Sequence, residues 1–140
     1  MVRKADIPKH VVDNALALAE SRGWRGLSLA DIAAAADLPV ATVARTYSSK
    51  EAILDGFRRR IDEAALAGCE AGDIDQPLKD RLFDILMRRF DAMGPHRAAL
   101  RVIARDLSRD RLGQLNMISL IVVFGIGEEL NRAHYSVTDE

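Results

Sequence analysis

With 140 residues, 49% of them apolar and 29% charged, the chain is sized for one domain, or one small domain with an appendage, and its apolar share excludes an intrinsically disordered protein. A net charge of −1 and a pI near 6.3 exclude the basic balance of a strong nucleic-acid binder. The single cysteine, Cys69, excludes an internal disulfide and points to a reducing cytoplasm.

Aromatics at 5%, four prolines and nine glycines favour long, closely packed helices. Residues 1–50 carry seven Lys/Arg against five acids, so the N-terminal end is mildly basic and the remainder acidic. The N-terminus, Met1-Val2-Arg3-Lys4-Ala5-Asp6, has no apolar signal core. The longest apolar run, Met117–Ile126, is far shorter than the ~20 residues that a bilayer span needs.

The first helix is expected to begin at Asp6 as N-cap, with Pro8 tolerated in the first turn, where its missing N–H has no intrahelical partner. Ile7, Val11, Ala15 and Leu18 recur at helical spacing, and Gly23 ends the helix at positive φ. Trp24 follows as a core plug. Ser28 opens a second helix and forms a variant capping box with Asp31. Leu29, Ile32, Ala33 and Ala36 give it one apolar face, and Asp37-Leu38-Pro39 breaks the pattern.

A short third helix is predicted over Pro39 to Tyr47, with Val43 and Tyr47 turned inward. Ser48-Ser49 caps a fourth, over Lys50 to Ala67, whose apolar side is Ile53, Phe57, Ile61, Ala64 and Leu66. Residues 68–76 read as a loop and mark a subdomain boundary. A fifth helix is predicted over Pro77 to Met93, with Leu82, Phe83, Leu86, Phe90 and Met93 on one face and a sharp stop at Gly94-Pro95. A sixth covers Pro95 to Leu107, and a seventh starts near Arg109 and carries the Met117–Ile126 run. The fold class is therefore all-α. It divides into a head over residues 5–67 and a helical part over residues 76–131.

Four pieces in order carry a family resemblance: "ALALAESRGW", "LSLADIAAAADL", "PVATVARTY" and "SSKEAIL". Together they resemble the DNA-binding end of the TetR family of bacterial regulators, and "RLFDILMRRFDAMGPHRAAL" resembles, more loosely, the start of its effector domain. The resemblance implies a three-helix, helix-turn-helix head that binds double-stranded operator DNA as a homodimer. It also implies a small-molecule effector that releases the DNA.

Physical chemistry agrees with this order of pieces. Two helices joined by a tight turn present a third-helix face to a groove about 12 Å wide. Lys50 places a cation beside the unpaired N–H groups of a helix start, a combination that clamps phosphate, although a solvated charge is the plainer alternative. The DNA-facing set implied is Ser28, Val40, Ala41, Thr42, Arg45, Thr46, Tyr47 and Lys50. Arg45 is its one long base-reading side chain.

Three departures thin this grip. Asp37 stands where the family favours glycine, Ala44 where it has an aromatic, and Val40 where a polar or basic residue is common. Phe83, Met87, Phe90 and Met93 form a stripe that either lines an effector pocket or is plain core. The Arg58-Arg59-Arg60 run is expected to be a solvated surface, and Arg97, Arg101 and Arg105 a basic ridge. His10, His96 and His134 have no metal-ligand spacing, and no cofactor, metal site or catalytic constellation is expected. A rival reading is a ligand- or lipid-binding protein of the same fold that no longer reads DNA.

Overall fold

A computed structural model describes residues 2–67 and 75–109 of the chain. Six α-helices follow one another there: α1 (Ile7–Arg22), α2 (Leu29–Ala36), α3 (Val40–Thr46), α4 (Lys50–Ala67), α5 (Leu78–Met93) and α6 (Arg97–Leu107). No strand occurs among the described residues. The seventh helix, the Met117–Ile126 run and His134 lie outside them.

α1 is the central element. It packs against α2, α3, α4 and α6, with Val11, Val12, Ala15, Leu16 and Ala19 buried along it. The helix does not start as expected. Asp6 is already in helical backbone, its carboxylate is held by Arg3 at 2.8 Å, and it accepts no capping bond. A short 3-10 turn over Lys4–Asp6 leads in instead. At the other end Gly23 does take positive φ, at 83°. Trp24 beyond it is 2% exposed, a core residue as expected.

α2 is only eight residues long, so it depends on its ends. The Ser28 hydroxyl accepts the Asp31 N–H at 3.1 Å, and the Asp31 carboxylate accepts the Ser28 N–H at 2.9 Å, completing the capping box. At the C-terminus Asp37 is left-handed (φ 53°, ψ 47°). Its N–H donates to Ala34 and the Leu38 N–H to Ala33, at 3.2 and 3.0 Å, the two bonds of a Schellman stop. A third tie was not foreseen: His10 Nε2 lies 2.8 Å from the Ala36 carbonyl. A carbonyl only accepts, so Nε2 carries the proton. The α2–α3 turn is thereby fastened to α1.

Two further sequence expectations need correction. In α4 the buried register runs Ile53, Phe57, Ile61, Ala65, while Ala64 is exposed and Leu66 is 58% exposed. Four-residue steps from Ile61 reach Ala65, and Leu66 lies a further 100° or so around the helix. Gly94-Pro95 does not throw the chain out of helical space. Gly94 has φ −50° and ψ −47°, and a single 3-10 turn, Gly94–His96, carries α5 into α6.

One hydrophobic cluster joins the head to α5 and α6. Met93, Ala99, Leu100 and Ile103 pack with Val11, Trp24, Ile32 and Phe57, across the boundary placed at residues 68–76. Phe90 lies against it. α5 is otherwise poorly covered, with Leu78 68% and Leu82 52% exposed.

Candidate nucleic-acid interface

The outer face of α3 is set by its inner face. Val43 is fully buried, and Tyr47, just past the helix, is half-buried over α4. A β-carbon on Gly56 would stand 2.6 Å from the Tyr47 hydroxyl, so a glycine in mid-helix is what lets the ring approach. With Val43 and Tyr47 anchored, Val40, Ala41, Ala44 and Arg45 are turned to solvent, and Thr42 and Thr46 sit at the edges.

Within this face the side chains differ in what they have left to offer. Arg45 makes no side-chain hydrogen bond or ion pair among the described residues, so its five N–H donors are open. Thr46 donates its hydroxyl hydrogen to the Thr42 carbonyl at 2.9 Å. Ser28 donates its own to Asp31 at 2.9 Å, so its hydroxyl serves the capping box from both sides. The Tyr47 phenol lies beside a cleft lined by Pro8, Lys9, Val12, Arg59 and Arg60. Burial pushes its pKa up, against the nearby Arg59 and Arg60 charges.

Lys50 stands at the first residue of α4, as expected, and Ser49 caps that helix by accepting the Ala52 N–H at 3.1 Å. The ammonium is not simply solvated. It donates to the Trp24 carbonyl at 2.8 Å and to the Arg25 carbonyl at 3.3 Å, and it lies 5.2 Å from the Trp24 ring centroid. Ser28, Arg45 and Lys50 come from three separate segments, the start of α2, α3 and the start of α4, and Lys50 is tied to the α1–α2 loop.

In the arginine run on α4, Arg58 and Arg59 are exposed as expected, but Arg60 is not a solvated charge. Arg58 pairs with Asp55 and Asp62, and Arg59 with Asp55. Arg60 reaches Asp13 of α1 at 2.8 Å and lies 5.6 Å from the Phe57 ring centroid. Burial raises the Asp13 carboxyl, but hydrogen bonds from Lys9 and Arg60 outweigh it and hold the pKa below the usual carboxylate range. His96 meets Phe57 edge-on at 5.2 Å, so it packs. Burial, and then the Arg60 charge, push its pKa down. Arg97, Arg101 and Arg105 are all exposed on α6.

The four α5 residues separate. Phe83, Met87 and Phe90 are half-buried, whereas Met93 is 6% exposed and part of the common core. Among the described residues no group of three or more His, Cys, Asp or Glu is placed to hold a metal ion. No helix among them is long and apolar enough to cross a membrane.

Residue-level reading missed Asp106 altogether. It is 8% exposed at the end of α6, and one carboxylate oxygen accepts the Trp24 N–H at 2.8 Å and the Arg25 N–H at 3.3 Å. The Trp24 hydrogen bond, against the cost of burial, holds its pKa below the usual range.

Comparison with known proteins agrees with this geometry. Residues 11–56 match the family model described as bacterial regulatory proteins, tetR family. No curated protein and no solved structure matches the chain. The matched span runs from Val11, the first buried residue of α1, through the left-handed Asp37 turn and α3, to the glycine under Tyr47. Residues 11–56 are therefore similar to the N-terminal helix-turn-helix domain of the tetR family of bacterial regulatory proteins.

Proposed function

We propose that the protein is a repressor that binds operator DNA as a homodimer in the cytoplasm and lets go when a small apolar molecule binds its C-terminal helices. The observation that carries the DNA half is the α3 face, held outward by Val43 and Tyr47, with Arg45 unpaired among the described residues. Arg45 reads guanine through a bidentate pair, a contact worth roughly 1–3 kcal/mol of discrimination. Val40 and Ala41 meet thymine methyls, while Ser28, Thr42, Thr46, Tyr47 and Lys50 lie toward the backbone.

The effector half rests on α5, where Phe83, Met87 and Phe90 remain only half-covered. Met93 is spent on the core and supports such a pocket from behind. The dimer rests on the apolar run at Met117–Ile126, since a soluble chain rarely leaves such a patch open to water.

One observation favours a second reading, a ligand-binding protein of the same fold that no longer reads DNA. Besides Arg45, the exposed positions of α3 are Val40, Ala41 and Ala44, which have no polar side chains. Selection of bound sites from random double-stranded DNA, with wild type and Arg45→Ala in parallel, separates the two. Enrichment that Arg45→Ala flattens is the expected result. An unenriched wild-type pool overturns the repressor reading, and enrichment untouched by Arg45→Ala removes Arg45 from the interface.

A further inference from the structure

The peptide group between Trp24 and Arg25 is held at both ends. Its carbonyl, on Trp24, accepts from Lys50 at 2.8 Å, and its N–H, on Arg25, points to Asp106 at 3.3 Å. The same Asp106 oxygen takes the neighbouring Trp24 N–H at 2.8 Å. A trans peptide directs its N–H and C=O to opposite sides. The chain of contacts therefore runs from a carboxylate on α6, through one peptide, to the ammonium at the start of α4.

The order of charges along this chain is favourable. A carboxylate on the N–H polarises the peptide and makes its carbonyl a stronger acceptor. The ammonium has three N–H donors, of which two go to the Trp24 and Arg25 carbonyls. The third has no hydrogen-bond acceptor among the described residues and can meet an outside anion. The loop is shaped for the carboxylate too. Gly23 has φ 83°, and a β-carbon there would lie 3.2 Å from the same Asp106 oxygen.

We propose that Asp106 is a positioning residue for DNA binding: through the Trp24–Arg25 backbone it fixes Lys50 so that its remaining N–H meets a DNA phosphate already in place. The inference rests on the reading of the head as a DNA binder with Lys50 on the backbone. It adds that this contact is organised in advance from α6, some 56 residues further along the chain. A long side chain that is fixed beforehand does not give up its rotamer freedom at the moment of binding.

Two measurements test this on the full chain. The first needs no DNA. Amine acetylation followed by mass spectrometry compares Lys50 with the exposed Lys4 and Lys79 as internal references. In the wild type Lys50 reacts more slowly than either. In Asp106→Ala its rate rises toward theirs, and Asp106→Asn, whose amide oxygen still accepts the two N–H groups, restores protection. An unchanged Lys50 rate in Asp106→Ala overturns the inference whatever DNA binding does.

The second is a double-mutant cycle on DNA affinity over a range of salt, with folding of each variant checked by circular dichroism at the assay temperature. Asp106→Ala lowers affinity roughly threefold to tenfold, the freedom of one long side chain, with the salt slope unchanged. Lys50→Ala lowers affinity and reduces the slope by about 1, for one lost phosphate contact. In the Lys50→Ala background Asp106→Ala has no further effect. A full additional loss there shows that Asp106 acts only on the stability of the head, and overturns the proposal. If Lys50→Ala changes neither affinity nor slope, the phosphate assignment itself falls, while the acetylation result still reports whether Asp106 holds Lys50.

Discussion

α2 and α5 are both amphipathic, and they have been completed to very different degrees. α2 has eight residues, three of them at or below 1% exposed, and both of its ends are closed, by the Ser28 capping box and by the Asp37 stop with His10 behind it. α5 has sixteen residues, of which Met93 alone is buried, and its N-cap Pro77 makes no side-chain capping bond. A short helix gains little from its own hydrogen-bond ladder, so it survives on tertiary burial and caps. A long one tolerates an open flank. The head is thus finished among the described residues, while α5 is finished only at the end that meets the core.

The largest expected effect tests that contrast directly. Ile32→Ala removes a fully buried side chain, and unfolding stability should fall by about 2–5 kcal/mol. Leu82→Ala, at a position 52% exposed, should stay within about 0.5 kcal/mol. Urea titration of both variants measures this. A loss at Leu82 as large as at Ile32 would break the comparison and show that residues beyond those described, or a second copy of the chain, cover α5.

Next in size is Gly56→Ala. By helix propensity alone the change should stabilise α4 by about 1 kcal/mol. The added methyl would meet Tyr47 ring atoms at 2.7–2.8 Å and its hydroxyl at 2.6 Å, and ring atoms pinned over a helix cannot give way as a flexible tip does. Overpacking should win, with a net loss of about 1–3 kcal/mol. Gly56→Ala combined with Tyr47→Ala should recover the propensity gain relative to Tyr47→Ala alone. A gain in the single variant would mean that the ring is free to swing aside.

The order of α1 to α4, and their ends apart from the start of α1, were legible because local chemistry decides them. Ser28 with Asp31, Gly23, Asp37 and Ser49 each mark an end through a bond or a backbone angle that a few neighbouring residues determine. The long-range ties were not legible. Asp106 lies 82 residues from Trp24, and His10 lies 26 from Ala36, and no periodicity links such pairs. Lys50 was placed correctly on its helix, but the carbonyls it holds belong to a loop 25 residues earlier. Leu66 was misplaced because Ala64 and Leu66 were read as continuing an apolar side that in fact follows four-residue steps to Ala65. For the candidate site, residue type showed which side chains occupy α3 and that Ser28 serves a capping box, but not that the hydroxyl of Thr46 is engaged at home.

A smaller effect concerns acid. The folded pKa of His96 lies below its ordinary 6.5, and those of Asp13 and Asp106 below 3.8. A depressed folded pKa means that the unfolded chain binds the proton more readily. Stability should therefore be fully present above pH 6.5, decline through a first step as His96 takes a proton, and decline again below 3.8 as the carboxylates do. His96→Gln should erase the first step and keep the second. A melting temperature that is level between pH 7 and 5 in the wild type would show that His96 accepts its proton in place, without loss of packing against Phe57.

The smallest effect lies in the turn that orients α3. Asp37 is the one non-glycine residue at positive φ among the described residues, and a left-handed backbone costs an ordinary side chain roughly 1–2 kcal/mol, less for Asp. Asp37→Gly relieves that cost but adds freedom to the unfolded chain, so the net gain should be at most about 0.5 kcal/mol. Asp37→Ala should lose up to about 1 kcal/mol, because a methyl side chain has no local hydrogen bond to offset the left-handed backbone. Both variants remove the same carboxylate, so the difference between them isolates backbone angle from charge. Thermal melts that separate with glycine the more stable tie the turn to its angle. Equal melts would mean that the two backbone bonds to Ala33 and Ala34 hold the turn whatever residue occupies it.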